Sequence, residues 1–247
     1  EAVAIDPAYD VQGIVDVLAA DDMRLTGVLA THYHPDHVGG SMMGFKLEGV
    51  RELLAEVGVK VHCNEAEIPW VKKVTELSDS DLVAHEGGDS LMVGDIKIEF
   101  VHTPGHTPAC MTHVVGDAAF VGDTLFMPDY GTARADFPGG DARELYRSIK
   151  KILDLPAATR LFMCHDYPPT DRAVVFETTV GEQRRKNIHV HDGISEAAFV
   201  DMRTKRDVTL EMPVLILPAV QINIRAGQFP PAEDNGVAYV KIPLNAL

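Results

Sequence analysis

The chain has 247 residues, 46% of them hydrophobic, which is enough to bury a sizeable core in one large domain or two small ones. Its 37 Asp and Glu residues outnumber its 22 Lys and Arg residues, so the formal net charge is −15 at pH 7. A surface this acidic predicts no nucleic-acid or anionic-membrane partner, because phosphate groups bind to basic side chains. The longest apolar runs are shorter than the roughly 20 residues that span a bilayer.

The first half of the chain alternates apolar patterns that are typical of strands and helices. Residues 2–7 read as a buried strand ended by Asp-Pro, residues 11–20 have helical apolar spacing, and residues 25–34 read as a second strand. A helix is predicted over 48–58 and a short strand over 59–64. The predicted elements of this half therefore run strand, helix, strand, helix, strand.

The second half contains hairpin signals as well as helices. One hairpin is predicted from strands at 90–93 and 96–101 around Gly94-Asp95, and a second one around Gly116-Asp117. The remaining predicted elements are a helix over 141–155, a strand over 159–166, a helix over 180–187 and a strand-like run over 214–224. Strands and helices interleaved in this way predict an α/β fold with mixed sheets flanked by helices.

The predicted domain organisation divides the chain after residue 207. Residues 1–207 carry the regular patterns of one catalytic domain, and residues 208–247 read as a Pro-rich C-terminal extension. We expect this extension to pack on the same domain or on a neighbouring subunit of a homodimer. Because the sequence begins at Glu1, in what already reads as a strand, we also expect the native N-terminus and any targeting segment to lie upstream.

The segment THYHPDHVGG, at positions 31–40, concentrates imidazoles and a carboxylate directly after the second predicted strand. Its candidate metal ligands are His32, His34, Asp36 and His37. In a turn of this spacing, alternate residues can point one way and the remaining pair another, so two metal positions can share the loop. Pro35 stiffens the turn because its ring fixes φ. A solvated loop without metal explains this concentration poorly.

Three further polar residues follow strands elsewhere in the chain. His106 follows IEFVHTPG, Asp123 follows AAFVG and His165 follows LFMC. Taken singly, His106 suits a turn and Asp123 suits an N-cap, but their repeated placement predicts that they meet the His-rich segment at one sheet edge. Imidazole and carboxylate together bind zinc, iron or manganese, and a site without thiolate differs from structural Cys-rich zinc sites.

The cysteines and the other histidines are interpreted without a metal role. Three widely spaced cysteines predict a reducing compartment, with the cytoplasm as the expected location. Cys110 and Cys164 lie near candidate ligands and are interpreted as small buried hydrophobes. Six histidines lack the strand-end placement and are interpreted as structural or surface residues: His62, His85, His102, His113, His189 and His191.

The ordered motifs THYHPDH, TPGHT, VGDTLF and CHDYPP resemble those of the metallo-β-lactamase superfamily over most of the chain. The resemblance implies an αββα sandwich, with two mixed β-sheets flanked by helices and a metal site at one edge of the two sheets. Carried over motif by motif, it assigns two ligand sets that share Asp123 as a bridge: His32, His34 and His106 for one metal, and Asp36, His37 and His165 for the other.

Finer motifs resemble one branch of that superfamily, the persulfide dioxygenases and their bacterial relatives named β-lactamase-hydrolase-like proteins. These motifs are GTARADFPGGDARELYRSI at 131–149, CHDYPP at 164–169 and the tail at 212–236. The resemblance implies a single iron held by His32, His106 and Asp123, a two-His-one-carboxylate set that leaves coordination positions open. It also implies that Arg134 binds the carboxylate of glutathione and that Tyr167 contacts the substrate.

Two functions remain open on this basis. The favoured hypothesis is a persulfide dioxygenase with one Fe(II) per chain, which oxidises glutathione persulfide or a similar small persulfide to sulfite with O2. The alternative is a hydrolase with one or two Zn2+, similar to hydroxyacylglutathione hydrolase or to lactonases, in which activated water cleaves a thioester, lactone or amide. Asp36 and Asp123 are the expected catalytic carboxylates. A vestigial site is disfavoured because no ligand position is replaced.

Overall fold

The computed structural model describes residues 1–169, 171–210 and 216–244. The chain divides into two compact units. The first comprises residues 1–63 and 68–83 with the described part of the segment after 210, and the second comprises residues 64–67 and 84–210. The predicted extension over 208–247 includes 211–215 and 245–247, which lie outside the described residues, so the boundary after residue 207 stays a prediction.

The first unit, with the segments that join it to the second, contains six strands and four α-helices before residue 86. In chain order these are β1 (Ala2–Ile5), α1 (Val11–Ala20), β2 (Leu25–Leu29), α2 (Pro35–Val38), β3 (Gly40–Met42), β4 (Phe45–Leu47), α3 (Val50–Glu56), β5 (Val61–Asn64), α4 (Ile68–Thr75) and β6 (Leu82–His85). One sheet has the order β1-β2-β5-β6, and both β1 and β5 run parallel to β2. β3 and β4 form a separate antiparallel hairpin.

The middle position of β2 explains its apolar sequence. Val28 of β2 is fully buried and packs in one apolar core with Val61 of β5 and Leu53 of α3. α1 begins where the Asp10 side chain accepts the backbone N–H of Gly13 at 2.9 Å, an N-cap that satisfies one of the free donors of the first turn. This core holds β2 rigidly, and the segment that follows β2 therefore has a fixed starting point.

The described residues of the second unit form a six-stranded mixed sheet and three α-helices. In chain order its elements are β7 (Ser90–Val93), β8 (Ile96–His102), β9 (Met111–Val115), β10 (Ala118–Phe120), α5 (Ala142–Leu153), β11 (Arg160–Phe162), β12 (Glu177–Thr179), α6 (Val180–Lys186) and α7 (Glu196–Val208). The strand order is β12-β11-β10-β9-β8-β7. β10 and β11 are parallel, and the other neighbours are antiparallel.

The helix α5 forms because its sequence places apolar residues on one face. Leu145, Ile149 and Ile152 are buried and pack in one core with Leu161 of β11. Full burial of each of these side chains contributes about 1.5–3 kcal/mol. The Asp141 side chain caps the helix by accepting the N–H groups of its first turn at 2.7 and 2.9 Å. The result is a stable helix on which the neighbouring loops can pack.

The predicted α/β fold with two β-sheets and accompanying helices is confirmed. Both predicted hairpins form, as do the helices predicted over 11–20, 48–58, 141–155 and 180–187. The predicted strand over 25–34 is too long, because β2 ends at Leu29 and the His-rich segment forms a turn and a short helix. The elements α4, β6, β12 and α7 have no counterpart among the predicted ones.

The strand-like run predicted over 214–224 is wrong in its described part, which forms the eight-residue helix α8 (Ile216–Asn223). Residues 214 and 215 lie outside the described residues. A continuous apolar run has no period that separates strand from helix. The helix is joined to the end of the chain, since the Gln221 side-chain amide bonds to both backbone polar groups of Lys241 at 2.8 Å. None of the helices in the described ranges has the length and apolarity needed to cross a membrane.

Candidate metal centre

The candidate ligands of the first unit lie just beyond β2, in the segment that leads into α2. His32 and His37 are buried, whereas His34 and Asp36 are half-buried. Pro35 is the first residue of α2, a position where a backbone N–H has no partner within the helix. The turn brings His32 Nε2 to 2.9 Å from His34 Nδ1, and a carboxylate oxygen of Asp36 to within 4.8 Å of a ring nitrogen of His37. Three imidazoles and a carboxylate are therefore neighbours in this unit.

Asp6, directly after β1, orients two of these imidazoles. Its Oδ2 atom accepts from His37 Nδ1 at 2.9 Å, which leaves the Nε2 lone pair of His37 for a metal. The Thr31 hydroxyl donates to Asp6 at 2.6 Å, so its oxygen accepts from His32 Nδ1 at 3.1 Å. His32 therefore also carries its lone pair on Nε2. One carboxylate sets the tautomer of both rings.

The role of Asp6 is not among the predictions from the sequence. A signal exists, because Asp6 follows a predicted strand directly, as the candidate ligands follow theirs. The Asp-Pro pair accounts for the end of the strand equally well, so the sequence alone does not single this carboxylate out.

The candidate ligands of the second unit lie just beyond the ends of its strands. β8 precedes His106, β10 precedes Asp123, and β11 precedes His165. Asp123 lies between the two imidazoles: its Oδ2 is 3.7 Å from His106 Nε2, and its Oδ1 is 3.5 Å from His165 Nε2. These distances are long for hydrogen bonds but suit donor atoms that share an ion.

A backbone carbonyl holds His106 from its other side. The Nδ1 atom of His106 donates to the carbonyl oxygen of Arg134 at 3.0 Å. A carbonyl oxygen can only accept, so the ring proton lies on Nδ1 and the lone pair on Nε2, the atom nearer Asp123. This is the tautomer that a metal-binding histidine needs.

The turn before His106 depends on a glycine. Gly105 has a φ of +135°, and a Cβ atom there would lie 2.3 Å from both N and Cα of Leu145 in α5. The Gly105 carbonyl also accepts the backbone N–H of Asp141, just before α5, at 2.9 Å. The loop that carries His106 therefore packs on the backbone of α5 at a distance that only glycine allows.

The two predicted substrate contacts also lie in the second unit. The Arg134 guanidinium bonds to both carboxylate oxygens of Asp136 at 2.6 Å, and this pairing lowers the pKa of Asp136. Tyr167 stacks on Tyr130 with ring centroids 4.4 Å apart, and its ring lies 6.1 Å from that of His165. An aromatic surface and a paired arginine thus accompany the candidate ligands of this unit.

The candidate ligands of each unit have donor atoms that fit a divalent metal ion. Two ligand atoms about 2.1 Å from one ion, with an angle of 90–120° between them, are about 3.0–3.6 Å apart. The His32–His34 nitrogens and the two His–Asp123 pairs, at 2.9, 3.7 and 3.5 Å, lie close to this range. Hydrogen bonds already fix lone pairs on three of the rings, as metal binding requires. Imidazole and carboxylate suit iron and zinc alike.

Cys110, Cys164 and His189 are not among the ligands predicted from the sequence, and they differ in how far they are buried. Burial raises the pKa of the Cys110 thiol to about 12, so Cys110 is an unreactive buried hydrophobe, as predicted. The same interpretation is wrong for Cys164, which is exposed. Burial lowers the pKa of His189 to about 4, and its neutral Nδ1 accepts the backbone N–H of Thr132 at 3.1 Å.

Residues 1–165 match the family model of the metallo-β-lactamase superfamily. The chain belongs to this superfamily. A relative from Burkholderia pseudomallei, named a "probable metallo-hydrolase", is 49% identical over 93% of this chain and 82% of its own length. The human mitochondrial persulfide dioxygenase ETHE1 is 33% identical over 92% of this chain and 80% of its own length.

A solved structure supports the same assignment. The crystal structure of ETHE1 from Myxococcus xanthus matches with a TM-score of 0.67 and 28% identity, over 92% of this chain and 88% of that one. The resemblance to the metallo-β-lactamase superfamily and to its persulfide dioxygenase branch is thereby confirmed. The chain is an enzyme of a superfamily that binds metal ions.

Proposed function

We propose that this chain is an iron-dependent persulfide dioxygenase that acts on glutathione persulfide or a similar small persulfide. The observation that carries the proposal is the similarity to human persulfide dioxygenase over 92% of the chain. In the net reaction, R–S–SH, O2 and H2O give R–SH and H2SO3. The S–S bond breaks, the outer sulfur is oxidised to sulfite, and O2 is reduced.

The proposed iron ligands are His32, His106 and Asp123. When bound, Fe(II) in such a set supplies open coordination positions for a persulfide sulfur and O2. The chain prepares these ligands in advance. Thr31, held by Asp6, fixes the ring of His32, and the Arg134 carbonyl fixes the ring of His106. Such support lowers the reorganisation that metal binding requires.

The proposed substrate contacts are Arg134 and Tyr167. Nε and Nη2 of Arg134 bond to Asp136, while Nη1 makes no hydrogen bond to any residue in the described ranges. A glutathione carboxylate can therefore approach Nη1 while Asp136 stays bound. The Tyr130–Tyr167 stack supplies an apolar surface near His165 that shields the thiol carrier from water.

Arg134→Ala should raise KM for glutathione persulfide about 10-fold or more and change kcat much less, because a hydrogen bond to a charged group contributes about 1.5–3 kcal/mol. Metal content should stay the same, since alanine keeps the backbone carbonyl that holds His106. Steady-state O2 uptake measures both constants. Arg143→Ala, which removes an exposed arginine paired with Glu196, is the matched control. An unchanged KM in Arg134→Ala would remove this residue from the substrate site.

The second candidate function is a binuclear zinc hydrolase. The specific observation in its favour is that His37 is oriented by Asp6 and that His165 lies 3.5 Å from Asp123, although a single iron needs neither ring. The Burkholderia relative with 49% identity also carries a hydrolase name. Two zinc ions about 3.5–4 Å apart would lower the pKa of a shared water towards about 7. Asp36, His37 and His165 would then hold the second ion, with Asp123 as the bridge.

Reconstitution of metal-free protein tests the two functions against each other. One portion receives Fe(II) without oxygen, a second receives Zn2+, and a third receives no metal. Each is assayed for O2 uptake with glutathione persulfide and for cleavage of a glutathione thioester. We expect about one iron per chain and persulfide-dependent O2 uptake, with sulfite formed, in the iron portion alone. Two zinc ions per chain with thioester cleavage, and no O2 uptake in the iron portion, would contradict the dioxygenase.

A further inference from the structure

One peptide group in the second unit is hydrogen-bonded at both of its polar atoms. The Arg134 carbonyl accepts from His106 Nδ1 at 3.0 Å. The N–H of Ala135, which belongs to the same peptide plane, donates to Asp207 Oδ2 at 2.9 Å. We infer that Asp207, on α7, is a positioning residue for His106 and acts on it through this peptide. The inference rests on the proposed metal centre, in which His106 is a ligand.

Arg203 holds the Asp207 carboxylate in place. Both residues lie on α7, one helical turn apart, and both are buried. Nε and Nη2 of Arg203 bond to Asp207 Oδ1 at 2.8 and 2.5 Å, and Nη1 donates to the Thr132 carbonyl at 3.3 Å. A buried ion pair is often no more stable than apolar side chains of the same volume. Stability alone therefore explains this pair poorly. A role for the Asp207 carboxylate in holding the peptide that contacts His106 explains it well.

We call the sequence of contacts from Asp207 through the Arg134–Ala135 peptide to His106 the peptide relay. A peptide N–H that donates to a carboxylate is polarised, and its carbonyl becomes a stronger acceptor. The stronger acceptor holds the ring proton on Nδ1 of His106 and makes Nε2 a better ligand. In many metal sites a carboxylate contacts the histidine directly, and here one peptide group lies between them. The relay therefore gives His106 a carboxylate partner without adding a charge beside the metal.

Metal affinity measures the contribution of the relay. The double variant Arg203→Met/Asp207→Leu removes both charges together and keeps apolar volume, so no unpaired charge stays buried. Metal-free protein is titrated with Co2+, and its visible absorption reports binding. We expect the affinity to fall about 10-fold or more, as is usual for groups that support a ligand. The matched control is Asp201→Ala/Lys205→Ala, an exposed pair of the same spacing on α7, which should leave the affinity unchanged.

Wild-type affinity in the double variant would overturn the relay and leave the proposed metal centre intact. Wild-type protein that binds no Co2+ would instead overturn the centre itself.

A second variant tests the relay without metal. It also keeps the relay testable if Arg203→Met/Asp207→Leu does not fold. Arg203→Met/Asp207→Asn keeps the side-chain volume and an acceptor oxygen at position 207 and removes both charges, so no unpaired charge stays buried. Long-range 1H–15N spectra of metal-free protein report the His106 Nδ1–H resonance. We expect this resonance to move upfield in Arg203→Met/Asp207→Asn, because the carbonyl that accepts this proton is less polarised. A resonance at the wild-type position would overturn the relay.

Discussion

Asp123→Ala is expected to lose at least about 100-fold in kcat/KM for persulfide and most of the bound metal. Asp123 is the carboxylate between two imidazoles, with its oxygens 3.7 Å from His106 Nε2 and 3.5 Å from His165 Nε2. Loss of a group that only supports a ligand costs about 10–100-fold, so loss of a ligand should cost more. O2 uptake and elemental analysis of the purified variant measure the two effects.

Asp36→Ala is the matched control for Asp123→Ala. Under the dioxygenase hypothesis Asp36 does not bind the iron, so the variant should keep activity within about 10-fold of wild type and about one metal per chain. In a binuclear hydrolase both carboxylates hold metal, one of them for the second ion alone. Equal losses in the two variants would therefore contradict the mononuclear iron site and favour the hydrolase.

Gly105→Ala is expected to destabilise the protein by about 3 kcal/mol or more. The added Cβ would lie 2.3 Å from the backbone of Leu145, which cannot move without shifting α5. Backbone strain at φ +135° and forced repacking each cost about 1–3 kcal/mol, and here they act together. Urea unfolding of wild type and variant, with the slope m compared as well as the midpoint, measures the loss.

Gly116→Ala separates the two causes of this loss. Gly116 lies in the turn between β9 and β10 with a φ of +59°, and a Cβ there would meet no atom within 4 Å. Only the backbone conformation is unfavourable, so we expect a loss of about 1 kcal/mol. If the free energy of unfolding falls no more in Gly105→Ala than in Gly116→Ala, α5 moves to make room for the added methyl group. The contact between α5 and the His106 loop would then not constrain the ligand.

Local patterns are sufficient to predict much of the fold. The helix α1 and the hairpin of β7 and β8 form where apolar spacing and turn residues specify them, because these signals act within a few residues. The candidate ligands stand out for a similar reason. Imidazole and carboxylate groups at the ends of apolar strands are unusual enough to mark the His-rich segment, and residue type alone then predicts the class of metal.

Neither the helical conformation of α8 nor the hydrogen bonds that orient the candidate ligands could be predicted from local patterns. The apolar run of α8 is compatible with a strand or a helix, and its contact through Gln221 is with Lys241, 20 residues further along the chain. The hydrogen bonds of Asp6 to His37, of Arg134 to His106 and of Ala135 to Asp207 join residues 31, 28 and 72 positions apart.

Residue type is therefore enough to say which side chains can bind a metal, because that capacity belongs to the side chain itself. Which nitrogen of each ring carries the lone pair, by contrast, is fixed once the chain has folded. That choice depends on the partner of the other nitrogen, and for His106 this partner is a backbone carbonyl. Every residue has such a carbonyl, so no residue type marks the one at Arg134. Its role becomes apparent only once the chain has folded around it.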